Sequence, residues 1–184
     1  MLLSELLKKV SLNVVSFNEL EIKGISNSSK EVKEGYIFVP IKGEKTDGLD
    51  FLQEAVNKKA VAVLTDRDID TTLPCFKSQN LKKDMAKIAS LLYPSEKIKT
   101  IAVTGTNGKT STAYYVYQLL NACGIKTASI GTLGVYVNDV LKEGKMTTPD
   151  SIILAKELCE LENLINKYLT FEFQGGEPLL NFET

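Results

Sequence analysis

The chain has no histidine, only three cysteines, and no apolar run near the roughly 20 residues a membrane span needs. Each absence closes a route. Without imidazole there is no histidine general base and no His-bearing zinc site, so any catalysis must lean on carboxylates, lysine, hydroxyls and a bound metal. Cys75, Cys123 and Cys159 are odd in number, far apart and in no Cys-x-x-Cys pair. Buried free thiols in a reducing compartment are expected, rather than disulfides or a metal cluster. Lys and Arg number 22 against 23 Asp and Glu, a formal charge of −1, and no basic cluster with interleaved aromatics stands out. Neither nucleic acid nor a membrane is an expected partner. The stretch from Met1 to Lys9 reads as a short amphipathic helix without a cleavage signature, so a cytoplasmic location is expected.

What is present is enough for a folded α/β protein: 184 residues, 43% of them hydrophobic, give room for one large or two small domains with real cores. The most informative stretch is Ile101-Ala102-Val103-Thr104-Gly105-Thr106-Asn107-Gly108-Lys109-Thr110-Ser111. Asn107-Gly108 alone would suit a hairpin tip. Here β-branched and apolar residues precede it, and Ala113, Val116, Leu120 and Cys123 follow at helical spacing. Strand, glycine loop and helix in that order make a phosphate-binding loop, because backbone N–H groups converge on phosphate oxygens and the helix dipole points its positive end at them. Gly105, Thr106, Asn107, Gly108, Lys109, Thr110 and Ser111 are the candidate nucleotide-binding residues, with ATP and Mg²⁺ the expected ligands. Lys109 would reach the β- and γ-phosphates and act in catalysis, and Thr110 would offer its hydroxyl to Mg²⁺. The loop is the short Gly-x-x-Gly-Lys-Thr form, since Val103 stands where the longer pattern has its first glycine.

Around this loop the patterning predicts two domains, residues 1–97 and 98–184. In the first, Tyr36 to Ile41 reads as a strand, Asp50 to Lys59 as a helix, Ala60 to Leu64 as a buried strand and Leu81 to Leu92 as a helix closed by Tyr93-Pro94. In the second, the strand from Lys99 and the loop lead to a helix ending at Cys123 and Gly124, then a parallel strand Thr127 to Ile130 in a right-handed crossover. Val135 to Val140 reads as a hairpin around Asn138-Asp139. Thr148-Pro149-Asp150 reads as a helix start, followed by a stripe of Leu154, Leu158, Leu161 and Ile165 and a last strand from Tyr168 to Phe173.

The loop resembles the Gly-Thr-x-Gly-Lys-Thr loop of the Mur ligases, ATP-dependent amide ligases of bacterial peptidoglycan synthesis. Ser28-Ser29-Lys30-Glu31-Val32-Lys33-Glu34-Gly35-Tyr36-Ile37-Phe38-Val39 is similar to their Asp-Ser-Arg-x-Val-x-Pro-Gly-x-Leu-Phe-Val segment, with Ser28, Lys30 and Glu34 replacing Asp, Arg and Pro. Gly43-Glu44-Lys45-Thr46-Asp47-Gly48-Leu49-Asp50-Phe51 resembles the family's Gly-x-x-x-Asp-Gly-His-x-Phe loop over the uracil, with Leu49 in place of His. Ile130-Gly131-Thr132-Leu133-Gly134 and Thr147-Thr148-Pro149-Asp150 resemble segments of the branch that adds the third residue of the peptide stem. The resemblance covers roughly residues 25 to 172. It implies a small α/β UDP-binding domain followed by a P-loop parallel-sheet ATPase domain. Asn27, Ser29, Glu44, Lys45, Thr46, Thr147 and Thr148 would then contact a UDP-MurNAc-dipeptide substrate, and Thr110 and Glu172 would hold metal.

The implied reaction transfers the γ-phosphoryl group of ATP to the D-Glu carboxylate of UDP-MurNAc-L-Ala-D-Glu, and the amine of meso-diaminopimelate or L-lysine then displaces phosphate to leave an amide. The chain departs from the family after Glu172, where Gln174-Gly175-Gly176 stands in place of Ser-Ser-His. The expectation is therefore an N-terminal portion of such a ligase with an aberrant tail from about residue 173, an incomplete ATPase domain, and no activity alone. It is expected to be monomeric. Two other readings stand beside it, a small P-loop NTPase of another class and a non-catalytic nucleotide-sugar-binding fragment. No guanine-reading Asn-Lys-x-Asp segment supports the former.

Overall fold

The computed structural model describes residues 1–10, 19–43, 46–132, 134–137, 140–142, 150–162, 164 and 168–172, with 141–142 and 168–172 described as backbone. The chain divides into two compact units, one formed by Met1–Pro94 with Ser151–Lys156 and the other by the described residues of Ser95–Asp150 and Glu157–Thr184.

In the first unit, helix α1 (Leu3–Val10) buries Leu3, Leu6, Leu7 and Val10, the one-sided spacing of an amphipathic helix. Its start is tied down by Leu3 N–H to Leu20 O and Ile22 N–H to Met1 O, both 2.8 Å. Strands β1 (Gly24–Ser26), β2 (Tyr36–Phe38), β3 (Ala62–Thr65) and β4 (Cys75–Lys77) form a parallel sheet in chain order. Every residue of β1 and β3 is buried, as expected when both faces of a parallel sheet are covered. Ile25, Ile37, Val39 and Leu64 share a core with α1 and with Met85, Ile88 and Ala89 of α3 (Leu81–Leu92). Phe38 packs in a second cluster with Val32, Ala60 and Ala55 of α2 (Leu52–Asn57).

Several boundaries differ from the sequence expectation for physical reasons. The strand expected to Ile41 ends at Phe38: Val39 N–H still reaches Ser26 O at 2.9 Å, but Pro40 has no donor to extend the ladder. The expected helix from Asp50 becomes a 3-10 turn, Gly48–Phe51, followed by α2, because the Asp47 carboxylate accepts Leu49 N–H and winds the turn tighter. The strand expected from Ala60 begins at Ala62, after Lys59 turns the chain at φ 63°. Strands β1 and β4, three residues each, carried no periodic signal. Helix α3 starts and ends as expected, capped by the Asn80 side chain accepting Lys83 N–H at 3.2 Å.

The second unit is a five-stranded sheet of β5 (Lys99–Val103), β9 (Tyr168–Glu172), β6 (Thr127–Gly131), β7 (Gly134–Val137) and β8 (Val140–Lys142), in that order. β5, β9 and β6 are parallel, and β6, β7 and β8 are antiparallel. Thus β6 is parallel to β5 but is not its neighbour, since β9 lies between them. The expected hairpin is the β7–β8 pair, with Val137 opposite Val140. Helix α4 (Lys109–Ala122) turns Ala113 and Tyr117 inward, whereas Cys123 is exposed, so the stripe expected to end at Cys123 is displaced. Burial is expected of the three cysteines, but none is buried: Cys75 and Cys159 are half-buried and Cys123 is exposed. Along α5 (Ser151–Glu162), Ile152, Ala155 and Leu161 are the buried apolar residues; Leu154 and Leu158 are half-buried, and Ile165 lies outside the described residues.

Candidate functional site

The loop between β5 and α4 has the backbone a phosphate site needs. Gly105 has φ 149° and Gly108 φ 77°, conformations that a side chain disfavours, and Gly108 is the N-cap of α4. A Cβ at Gly108 would meet nothing within 4 Å, so glycine there serves the turn rather than a tight neighbour. Residues 104–108 are exposed. The first turn of α4 holds no acidic residue, which leaves the positive end of its dipole uncompensated by a carboxylate. Lys109 folds its ammonium onto the loop and donates to Gly105 O at 2.6 Å. The Thr110 hydroxyl lies 3.1 Å from the Thr132 hydroxyl, on the turn after β6. A shallow recess beside Thr110 is lined by Ala113, Tyr114, Ser129, Gly131 and Tyr136.

Glu172 is the last residue of β9, and the parallel register sets it opposite Val103, directly before the loop. Backbone topology thus brings this carboxylate-bearing position to the strand end that feeds the phosphate loop. A hydroxyl at Thr110 and a carboxylate at Glu172 are groups of the oxygen-donor chemistry that Mg²⁺ takes. Among the described residues no group of three or more His, Cys, Asp or Glu side chains could hold a metal.

Of the other candidate residues, Asn27, Ser29 and Thr46 lie in the segments that follow β1 and β2 in the first unit, at the carboxyl edge where open parallel sheets receive ligands. Asn27 and Ser29 follow β1. Ser29 is buried, and its hydroxyl donates to Glu54 Oε2 at 2.7 Å, so its oxygen lone pairs are what it could offer a ligand. Lys58 closes the group: its ammonium donates to the Ser29 and Lys30 carbonyls at 3.0 Å each and pairs with Glu54 at 3.0 Å. The Ser29 hydroxyl and then the Lys58 ammonium hold the Glu54 carboxyl below its ordinary range. Thr46 is exposed and its carbonyl accepts Gly43 N–H at 3.0 Å. Glu44, Lys45, Thr147 and Thr148 lie outside the described residues.

Sequence reasoning missed three side chains at this edge. Glu54 and Lys58 carried a faint signal, an i,i+4 pair on a helix. Arg67 carried none: it follows β3 and grips Asp47 in a two-pronged pair, Nη1–Oδ2 2.6 Å and Nη2–Oδ1 2.8 Å. That guanidinium, with Leu49 N–H, holds the Asp47 carboxyl well below the usual carboxylate range.

Strand, glycine loop and helix set in a parallel sheet define a P-loop nucleotide-binding fold, here preceded by a second small α/β unit. The chain matches the model of the Mur ligase family catalytic domain over residues 21–104 and that of the Mur ligase middle domain over residues 103–175. Adjoining as they do, the two matches take in most of the chain, which belongs to the Mur ligase family. Among its relatives, the UDP-N-acetylmuramoyl-L-alanyl-D-glutamate–2,6-diaminopimelate ligase of Aquifex aeolicus is 36% identical over 163 residues, 88% of this chain and 34% of that protein. The ligase of the same name from Caldanaerobacter subterraneus is 36% identical over 98% of this chain and 38% of its own length. The chain therefore spans little more than a third of these curated relatives. A solved structure of a ligase of that name superposes with a TM-score of 0.69 at 22% identity, covering 83% of this chain and 32% of the other. A MurF ligase from Thermotoga maritima in complex with ADP gives 0.60 at 26% identity, covering 85% and 33%.

Proposed function

We propose that this chain is the nucleotide-binding part of a MurE-type ligase, which adds diaminopimelate to UDP-MurNAc-L-Ala-D-Glu in the cytoplasm. The observation that carries the reading is the glycine loop at the start of α4, with Gly105 and Gly108 at positive φ and Lys109 folded over it. MgATP would occupy this loop through Gly105 to Ser111, in a domain of residues 98–184. The bound nucleotide supplies the phosphoryl group that activates a carboxylate. Lys109 neutralises charge on the β- and γ-phosphates, the first turn of α4 directs its N–H groups at them, and Thr110, steadied by Thr132, offers its hydroxyl to Mg²⁺ with Glu172 the second protein ligand. Positioning and charge neutralisation are the larger part of such catalysis.

The domain of residues 1–97 would receive the UDP-sugar through Asn27, Ser29, Glu44, Lys45 and Thr46, and Thr147 and Thr148 would reach the dipeptide. The names of the relatives favour diaminopimelate over L-lysine as the amine. A monomer is the proposed state. Calorimetric titration of the 184-residue chain with MgATP and with UDP tests the reading. Each should bind with unit stoichiometry, and saturation with one should leave a full titration by the other. A chain that binds MgATP but not UDP is a P-loop NTPase of another class; one that binds UDP but not MgATP is a nucleotide-sugar-binding fragment.

A further inference from the structure

We propose that Arg67 is a positioning residue for the uridine-nucleotide site, acting through Asp47 to set the base of the loop, residues 41–43 and 46–48. The inference rests on the reading that the edge loops of the first unit bind a uridine diphosphate sugar. The loop is closed on itself by backbone contacts: Gly43 N–H donates to Thr46 O and Gly48 N–H to Ile41 O, both at 3.0 Å. Gly48 sits so near the chain leaving β2 that a Cβ there would lie 2.7 Å from Ile41 N and O. Such closure fixes the loop's width but not its angle to the sheet. Asp47 supplies that second constraint. Its Oδ1 accepts Leu49 N–H at 3.0 Å, starting the 3-10 turn, and both its oxygens meet the Arg67 fork.

Arg67 is itself held in place. Its N–H donates at 3.2 Å to the hydroxyl of Thr65, the fully buried last residue of β3, and its Nε lies 3.5 Å from Asp66 Oδ1. The chain from buried β3 to Arg67 to Asp47 therefore transmits the position of the sheet to the loop. A planar fork matches both carboxylate oxygens at once, which a lysine ammonium cannot do. The pair is also neutral as a whole, so its contribution is geometry and not attraction of a diphosphate.

The test is a double-mutant cycle read by UDP affinity on the full chain: R67Q, D47N and both together. If Arg67 acts through Asp47, each single change weakens UDP binding by about tenfold, and the double change is no worse than either single one. R67K, which keeps the charge and one of the bonds, falls between R67Q and wild type. MgATP affinity stays at its wild-type value, which a general loss of structure would not allow. Faster amide exchange should be confined to residues 46–49. An unchanged UDP affinity in D47N, or additive losses in the double variant, overturns the inference, because Arg67 would then act without Asp47. Should R67Q not fold, R67K and D47N complete the same cycle. A wild-type chain that binds MgATP and not UDP brings down the underlying reading instead.

Discussion

The two units are both built on parallel strands, and they are assembled from different distances along the chain. In the first, strand order follows chain order, β1 to β4, and both faces are buried beneath α1, α3 and α2. In the second, the strand that joins β5 to β6 is β9, so Val103 finds its partner at Glu172. Lys99, Thr100 and Ala102 of β5 are exposed. The first sheet pairs its strands in chain order and takes only Ile152 and Ala155 of its core cluster from far along the chain, whereas the second needs a late strand before its centre exists, a costlier loop to close. Their candidate sites differ in the same sense. The first unit shapes its loop with side chains gathered from separate strand ends, while the second presents contiguous backbone at a helix start.

Core substitution should separate the units most sharply. Leu6→Ala empties a site that is 0% exposed in the first unit, whereas Leu119→Ala trims a side chain 65% exposed on α4. The expected costs are about 2–5 kcal/mol for the first and under about 0.5 kcal/mol for the second, read from chemical denaturation. Equal costs would mean that the first unit has no closed core.

The next effect belongs to the phosphate loop. Lys109→Ala should weaken MgATP binding by about 1.5–3 kcal/mol, because it removes a charge-assisted contact to phosphate. Lys126→Ala, beyond the end of α4, should change it little, and UDP binding should follow wild type in both. Equal losses in the two variants would remove Lys109 from the site.

Gly48→Ala should destabilise the first unit by about 1–3 kcal/mol, since its Cβ has only backbone 2.7 Å away to displace. Asn80→Ala, which removes the cap of α3, should cost about 1 kcal/mol in the same melt. A Gly48→Ala chain as stable as wild type would show that the loop base can relax.

The mildest prediction concerns pH. The Asp47 carboxyl is held low by Arg67 first and Leu49 N–H next, so its ionised form is favoured in the folded chain. A depressed native value means that the contribution is complete above the ordinary carboxylate range near pH ~4 and is lost as pH falls through and below it. Glu54, held low by Ser29 and then Lys58, adds in the same direction. Acid titration of thermal stability should therefore fall more steeply for wild type than for D47N, and parallel curves would refute this.

The sequence by itself determined the phosphate loop and helix α3. Gly105 to Ser111 are consecutive, and their chemistry is carried by backbone conformation and a helix start that local residues dictate. The limits of α3 follow equally from Asn80 at one end, Pro94 just past the other, and an apolar face between them. Only the tertiary structure decided which side chains meet. Asp47 and Arg67, Ser29 and Glu54, and the insertion of β9 between β5 and β6 join residues that share no periodicity or motif. Local conformational preference is written in neighbouring residues, but the pairing of two distant polar groups is fixed by where packing of the whole sheet brings their strands to an end.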